Sequence, residues 1–474
     1  MTDLPSMSES DTLLAALRQS ADSTVADAIA ALIRDAPDGE LCRVNVPAFA
    51  GRNGLAEEPA IAGFLHAARL GLFELSWNVL CPGCGGVLEA SGTLKNVDRE
   101  EYHCPWCAAG YAPVLDEIVE VTFTVNRRVR RIAAHDPDTL PLAEYLRQIF
   151  WSSAIDLPPD LGRIIDEVTL ETVELPPGGK ALLSLNLPAE FVIILDPVTH
   201  RAQFLDVKGE PTRERRTLSM MIDRLPAPTE TVELRPGPLR LMLENRTDAR
   251  ALPGLWIAGE ELHQLLGRRR PFLSAKRLLT NQVFRDIYGT AAIAAEQRLK
   301  ITSLTFLFTD LKGSTELYQR VGDLAAFDLV RTHFALLQDI VAGEAGAIVK
   351  TIGDAVMATF PTPDRALAAA LRMRAAMRGL NDERGRDDLA LKIGIHEGPC
   401  LAVVLNDRQD YFGQTVNIAA RVQGLADSHG ILATGAVVAH PQASRLLQSA
   451  GLDPVPQRRP LRGVADQFAI YEIP

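Results

Sequence analysis

Two aspartates stand where strand-like sequence gives way to loop. Asp310 closes the apolar run SLTFLFT and begins DLKGST, and Asp354 sits at the tip of KTIGDAVMATF. Ionised carboxylates are rarely buried without a partner. If the two apolar runs lie side by side in one sheet, both acids project at one edge, close enough to share cations. Mg2+ favours one or two carboxylates plus phosphate oxygens of a substrate. Two such ions about 4 Å apart activate an attacking hydroxyl and stabilise a leaving oxygen. The segment after Asp310 reads as the opening of a helix. Free backbone N–H groups around Gly313, Ser314 and Thr315 are then placed to hold a polyphosphate.

A second group has metal-ligand spacing. Cys81, Cys84, Cys104 and Cys107 fit C-x2-C-x19-C-x2-C, the pattern of a structural Zn2+ site with two knuckles and four thiolates. A closed four-sulfur site leaves no position for catalysis, so zinc would hold a small ribbon together. Cys42 and Cys400 stand alone and read as packed thiols. A lone histidine, His396, closes the run LALKIGIH and reads as structural.

The elements that must position the aspartates alternate clearly from residue 301 onward. SLTFLFT is a strand, and Asp323 to Ala342 is an amphipathic helix with Leu324, Phe327, Val330, Phe334, Leu337 and Val341 on one face. GAIVKTI and AVMATF form a hairpin about Gly353-Asp354. Pro363 to Gly379 is a helix with proline at its start. LALKIGIH and CLAVVLN are strands, QTVNIAARVQGLA a helix, and ILAT and FAIYEI the last strands. The order β-α-β-β-α-β predicts a ferredoxin-like α/β sandwich.

FTDLKGST, KTIGDAVMATF, GIHEG and DYFGQTVNIAAR, in that order, resemble the class III nucleotidyl cyclases, over about 303 to 473. The resemblance implies that Asp310 and Asp354 bind two Mg2+ or Mn2+ ions per active site. It implies that Lys350 and Asp410 read adenine. The chemistry agrees, because adenine offers a donor at its exocyclic amine and an acceptor at the adjacent ring nitrogen, and guanine reverses this. Asn417 would position the ribose, and Arg421 would stabilise charge on the transferred phosphoryl group. Arg462 in the closing segment would bind terminal phosphates. GIHEGPC departs from the family's GIHTG pattern at Glu397 and Pro399, and a local effect on the strand is expected. The family builds each site across a dimer interface, so a homodimer with two equivalent sites is implied. The implied reaction takes ATP to 3′,5′-cyclic AMP and pyrophosphate. Two alternatives remain beside it: a guanylate cyclase or catalytically silent nucleotide sensor, and a zinc-ribbon interaction factor that uses the cyclase fold only to dimerise.

With 474 residues the chain is too long for one core. We read a multidomain α+β protein: a helical, winged-helix-like or cap region over 1–76, a zinc ribbon over 77–115, a mostly β, antiparallel regulatory domain over 116–258, a helical linker over 259–299, and the cyclase domain over 300–474. The front regions resemble an uncharacterised region that precedes some bacterial cyclase domains, and an unknown regulatory ligand or protein is expected there. Acidic residues outnumber basic ones, 60 to 49, for a net charge of -11. This argues against broad nucleic-acid binding and favours a scaffold role for the ribbon. No apolar run reaches the ~18 residues of a membrane span, and the polar, acidic start is unlike a signal peptide, so the expected location is the cytoplasm.

Overall fold

The chain folds into two compact units, seen here in a computed structural model. It describes residues 9–224, 231–312, 319, 322–386, 389–427, 430–457 and 469–474. One unit comprises Met1–Pro113 and Glu117–Leu273, the other Val114–Asp116 and Ser274–Pro474. Among the described residues no helix is long and apolar enough to cross a membrane.

The first unit begins with four helices, α1 (Glu9–Ser20), α2 (Ser23–Asp35), α3 (Val46–Arg52) and α4 (Glu57–Leu70). The Asp22 carboxylate accepts from the N–H groups of Thr24 and Val25 and so fixes the start of α2. Asn45 caps α3 through Ala48 N–H at 3.0 Å. Gly71, at φ +85°, closes α4. Strand β1 (Phe73–Leu80) then pairs with β2 (Val87–Ser91), and a small hairpin follows, β3 (Tyr102–Cys104) with β4 (Ala109–Tyr111). The sequence pattern groups the next strand, β5 (Val119–Val125), with the middle domain. In the structure β5 pairs antiparallel with β1, in a register that sets Trp77 opposite Val121.

Two short helices, α5 (Leu142–Tyr145) and α6 (Leu161–Val168), lead into strands β6 (Thr169–Thr172), β7 (Lys180–Leu187), β8 (Phe191–Asp196), β9 (Arg201–Val207), β10 (Arg216–Ile222), β11 (Thr231–Leu234), β12 (Gly237–Asn245) and β13 (Gly254–Ile257), then helix α7 (Glu260–Gly267). The strands form two sheets, β10-β12-β7 and β11-β9-β8-β13-β6. One apolar cluster draws on both sheets, with Val192, Ile194 and Leu205 from one and Leu239, Leu241 and Leu243 from the other. The alternate residues Ile193, Leu195 and Phe204 enter a second cluster with Trp106, Trp151 and Trp256. Burial on both faces explains why FVIILD is continuously apolar. The expectation of an antiparallel middle domain needs correction, because β10–β12 and β11–β9 pair parallel. Strand direction is set by chain path, which hydrophobic alternation does not record.

The second unit opens with α8 (Ala275–Leu279) and α9 (Gln282–Tyr288), followed by β14 (Leu299–Lys312), α10 (Asp323–Gly343), β15 (Ala347–Ile352), β16 (Ala355–Phe360), α11 (Pro363–Arg384), β17 (Ala390–Leu405), β18 (Arg408–Phe412), α12 (Gln414–Gly424), β19 (Ile431–Thr434), α13 (Gly435–Ala439), α14 (Pro441–Ser449), β20 (Val455–Gln457) and β21 (Ile470–Ile473). The sheet order is β15-β16-β14-β17-β19-β21-β20, with β18 on the far half of β17. Its first four strands pair antiparallel, as βαββαβ connectivity demands.

Two details differ from the expected elements. LALKIGIH and CLAVVLN belong to one strand, β17, which runs through Pro399. Pro399 lacks an N–H, and the facing strand β14 shifts register between Ile301 and Leu304. The N–H groups freed there, those of Thr302 and Ser303, turn to the Asp116 carboxylate at 3.0 and 3.2 Å. On α10, Leu324 and Phe327 of the expected apolar face are 86% and 64% exposed, whereas Leu337 and Val341 of that face are buried. Ala326 and His333 join them in the buried stripe.

The GIHEG motif has a packing reason. A Cβ on Gly394 would lie 2.1 Å from the Gln423 nitrogen, and one on Gly398 would lie 2.9 Å from Thr415 Oγ1. Both glycines let α12 rest directly on β17. Because the opposing atoms at Gly394 are backbone, Gly394→Ala must displace the helix. We expect a loss of about 1–3 kcal/mol, read as a lower thermal midpoint by circular dichroism. An unchanged midpoint would contradict this packing.

Candidate active site

Strand register brings the first pair of acids together. Thr309 on β14 faces Val356 on β16, so Asp310 lies beside the β15–β16 turn that carries Gly353, at φ +63°, and Asp354. Burial, then the Asp354 carboxylate, pushes the Asp310 carboxyl up, while Lys392, its cross-strand neighbour on β17, pulls it down. Asp354 Oδ2 is buried and has no hydrogen-bond partner among the described residues. Two partly buried acids that repel each other, one with an unpaired oxygen, fit a divalent cation. His333 was not singled out from sequence, yet it is fully buried on α10 near Asp354. Burial pushes its ring down to about 4, against the pull of the Asp354 carboxylate, and neither ring nitrogen has a partner among the described residues.

Lys350 and Asp410 meet within one chain. Lys350 Nζ lies 2.5 Å from Asp410 Oδ2, and the two side chains are 36% and 9% exposed. Asp410 also accepts from Tyr411 N–H at 2.8 Å, which aims its carboxylate. The pair presents a donor beside an acceptor at a partly open position.

Sequence reasoning missed what holds this pair. Arg285 on α9 donates to the carbonyls of Val349, at 3.3 Å, and Gln409, at 2.9 Å. These residues immediately precede Lys350 and Asp410. Gln282, also on α9, accepts from Ile348 N–H at 2.8 Å. Tyr411 Oη donates to the Leu279 carbonyl, and its ring meets Phe306 edge-on at 5.6 Å. The segment read as a linker therefore clamps the strands of the pair. An arginine bound to carbonyls of distant strands carries no sequence signal of its own.

Asn417 and Arg421 are exposed on α12, one turn apart. Gly313, Ser314, Thr315 and Arg462 lie outside the described residues. His396 is buried and bonds Thr434 Oγ1 through Nδ1 at 2.8 Å, a structural setting. Burial pushes the Cys400 thiol up to about 12 and raises Cys42 as well.

In the other unit, the ligand atoms of Cys81, Cys84, Cys104 and Cys107 all lie within 4.8 Å of one another. The Cys81–Cys107 and Cys84–Cys104 sulfur separations are 3.6 and 3.7 Å. Four sulfurs at about 2.3 Å from a tetrahedral ion would stand about 3.8 Å apart, so the set fits one metal ion. The N–H groups of Cys84 and Gly86 point at Cys81 Sγ and Cys84 Sγ, as in a knuckle. Contacts among the thiols, with Cys104 the largest influence on both, hold Cys81 down and push Cys84 up.

Residues 296–451 match the family described as the adenylate and guanylate cyclase catalytic domain. The second unit thus carries the catalytic domain of a class III cyclase. Residues 7–286, more than half of the chain, match a family of unknown function (DUF5939). The protein belongs to that family.

An adenylate cyclase of Anabaena cylindrica is 31% identical over 185 residues, 36% of this chain and 36% of that protein. Adenylate cyclase 2 of Rhizobium meliloti is 32% identical over 197 residues, 39% of this chain and 52% of that protein. The matches thus span about a third to a half of these curated relatives. Among solved structures, the adenylyl cyclase CyaB of P. aeruginosa is 24% identical, covering 37% of this chain and 95% of that one at a TM-score of 0.33. The guanylate cyclase domain of RhGC from Catenaria anguillulae is 20% identical, covering 37% and 97% at a TM-score of 0.33.

The clamp has a direct test. Arg285→Ala should raise amide hydrogen exchange in 347–352 and 408–412 while the α10 and α11 amides stay protected. A stability loss of about 1–3 kcal/mol should accompany it, because two carbonyls lose a charged donor. Exchange unchanged in both strands would remove Arg285 from the positioning role.

Proposed function

We propose that this protein is an adenylate cyclase, converting ATP to 3′,5′-cyclic AMP and pyrophosphate in the cytoplasm. The observation that carries this reading is the Lys350–Asp410 pair, 2.5 Å apart on strands that adjoin the cyclase motif. Asp410 accepts from the exocyclic amine of adenine, and Lys350 donates to the neighbouring ring nitrogen. Guanine would set a carbonyl against the carboxylate, and a desolvated mismatch of this kind costs up to about 10⁴ in rate. The named adenylate cyclase relatives support the same choice.

Asp310 and Asp354 would hold the Mg2+ or Mn2+ pair. Bound cations would acidify the ribose 3′-hydroxyl and neutralise charge on the triphosphate. Asn417 holds the ribose, Arg421 meets charge on the phosphoryl group as it develops, and Gly313, Ser314, Thr315 and Arg462 hold phosphates. Each site takes its acidic pair from one copy of the chain and its base-reading pair from the other, in a homodimer. The exposed side chains Ile352 and Phe412, at 53% and 64%, flank Lys350 and Asp410 and support burial against a second copy. The four cysteines hold a structural Zn2+ that organises a ribbon, and the first unit is regulatory.

Purified protein with ATP and Mn2+ or Mg2+ should form cyclic AMP, with GTP used about 10³–10⁴-fold less efficiently. Asp310→Ala and Asp354→Ala should each lower turnover by about 10²-fold or more. Mixing Asp354→Ala with Arg421→Ala protein should recover activity. No product with either metal sinks the enzymatic reading, faster GTP turnover sinks the base assignment, and no recovery on mixing sinks the shared site.

Zinc has its own readout. Elemental analysis should find one zinc per chain, and Cys104→Ser should lose it along with several degrees of thermal midpoint. Metal-free protein with an unchanged midpoint would refute the structural ion.

A further inference from the structure

His333 breaks the pattern of the helix face on which it sits. It occupies the buried stripe of α10, one turn before Leu337 and two before Val341. Leu337 and Val341 share one apolar cluster with Leu311 and Val356. Leu311 follows Asp310, and Val356 lies two residues beyond Asp354. The chain passes from α10 to β15 through residues 344–346 and reverses, so the start of α10 lies toward the end of β15 that turns at Gly353-Asp354. One face of α10, followed back from Leu337 by a single turn, thus carries His333 to the end of the sheet where the acids stand. The Asp354 carboxylate is a charge that acts on its ring.

An apolar side chain would fill this position with no polar atom to satisfy. The histidine is instead 0% exposed, and neither ring nitrogen has a hydrogen-bond partner among the described residues. Asp354 Oδ2 is a buried acceptor in the same condition. Buried polar atoms are nearly always satisfied, so a sealed donor and a sealed acceptor at one end of the sheet point to each other. Burial keeps the ring neutral, and a neutral imidazole offers one N–H without a charge that would compete with a cation.

The two oxygens of Asp354 stand in different surroundings. The residue is partly exposed, and Oδ2 alone is sealed, so Oδ1 faces the open side. A divalent ion that keeps some of its waters approaches from that side. Carboxylates that ligate metals are themselves held by hydrogen bonds from behind, and His333 occupies that place.

We propose that His333 is a positioning residue for the acid pair, its imidazole N–H donating to Asp354 Oδ2 when the carboxylate holds a cation through Oδ1. This rests on the reading of Asp310 and Asp354 as metal ligands. The two groups are not bonded to each other in this structure, so one of the side chains must turn for the bond to form. The bond would hold Oδ1 toward the ion and satisfy both buried atoms at once.

Mn2+ titrated into the full-length protein, with the free ion counted by electron paramagnetic resonance, reads binding apart from turnover. Wild type should bind saturably at a site that Asp354→Ala removes. His333→Leu keeps an apolar filler of similar size and should weaken that binding about tenfold or more. Its thermal midpoint without Mn2+ should stay level or rise, because a buried unpaired imidazole is gone. His333→Asn keeps an N–H donor and should recover much of the affinity, with circular dichroism checking the fold of both variants. A packing role gives the opposite result, a lower midpoint in His333→Leu with Mn2+ affinity at the wild-type value. That outcome overturns the proposal and leaves the acid pair standing, as does His333→Asn binding no more tightly than His333→Leu. Absence of Mn2+ binding by wild type overturns both readings.

Discussion

Two carboxylates forced together by strand pairing are the constraint around which the catalytic unit is built. The register of β14 against β16 places Asp310 beside the turn that carries Asp354, and the acids repel. Such an arrangement stores unfavourable charge unless a cation or a substrate arrives. Lys392 offsets part of this cost at Asp310, and His333 near Asp354 is buried, its ring pushed down to about 4 by that burial. A fold selected for stability alone would pair Asp354 Oδ2 with a donor, and among the described residues none does so.

The opposite logic governs Lys350 and Asp410. Their charges cancel in the free protein, which makes a base-binding position tolerable when empty. In the proposed reading a nucleobase would exchange one ion pair for two directed hydrogen bonds, and the gain over a wrong base would come from the groups it left unpaired. Such discrimination requires strands that cannot adjust to the wrong base. Arg285 supplies this stiffness by tying the carbonyls next to both residues to one guanidinium. Gly394 and Gly398 serve the same end on the other side, by seating α12 against β17 without an intervening side chain.

How much of this was legible in the sequence depends on how local the information is. The turn at Asp354, the strands around it and the cysteine spacing are written in short windows, where residue type and period speak directly. The pairing of β5 with β1 is not. Trp77 meets Val121 only because the chain returns after β2 and the cysteine hairpin, and periodicity names no partner for either strand. The parallel pairs β10–β12 and β11–β9 were hidden for the same reason. On α10 the apolar pattern included Leu324 and Phe327, which the fold leaves exposed, while His333 took a place in the buried stripe. Arg285 was invisible because its partners are backbone carbonyls, which have no residue identity.

The exposed groups complete the argument for a shared site. Asn417 and Arg421 are exposed on α12, and Ile352 and Phe412 expose apolar surface beside Lys350 and Asp410. A monomer gains nothing from this arrangement, since large exposed apolar side chains favour water-excluding contact and arginine is a frequent anchor of such contacts. A second copy would cover the apolar side chains and bring its acidic pair toward the cations, so the proposed chemistry and the proposed assembly share one cause. In the proposed dimer, whatever changed the approach of the two copies would change the rate, with no alteration to any single residue of the site.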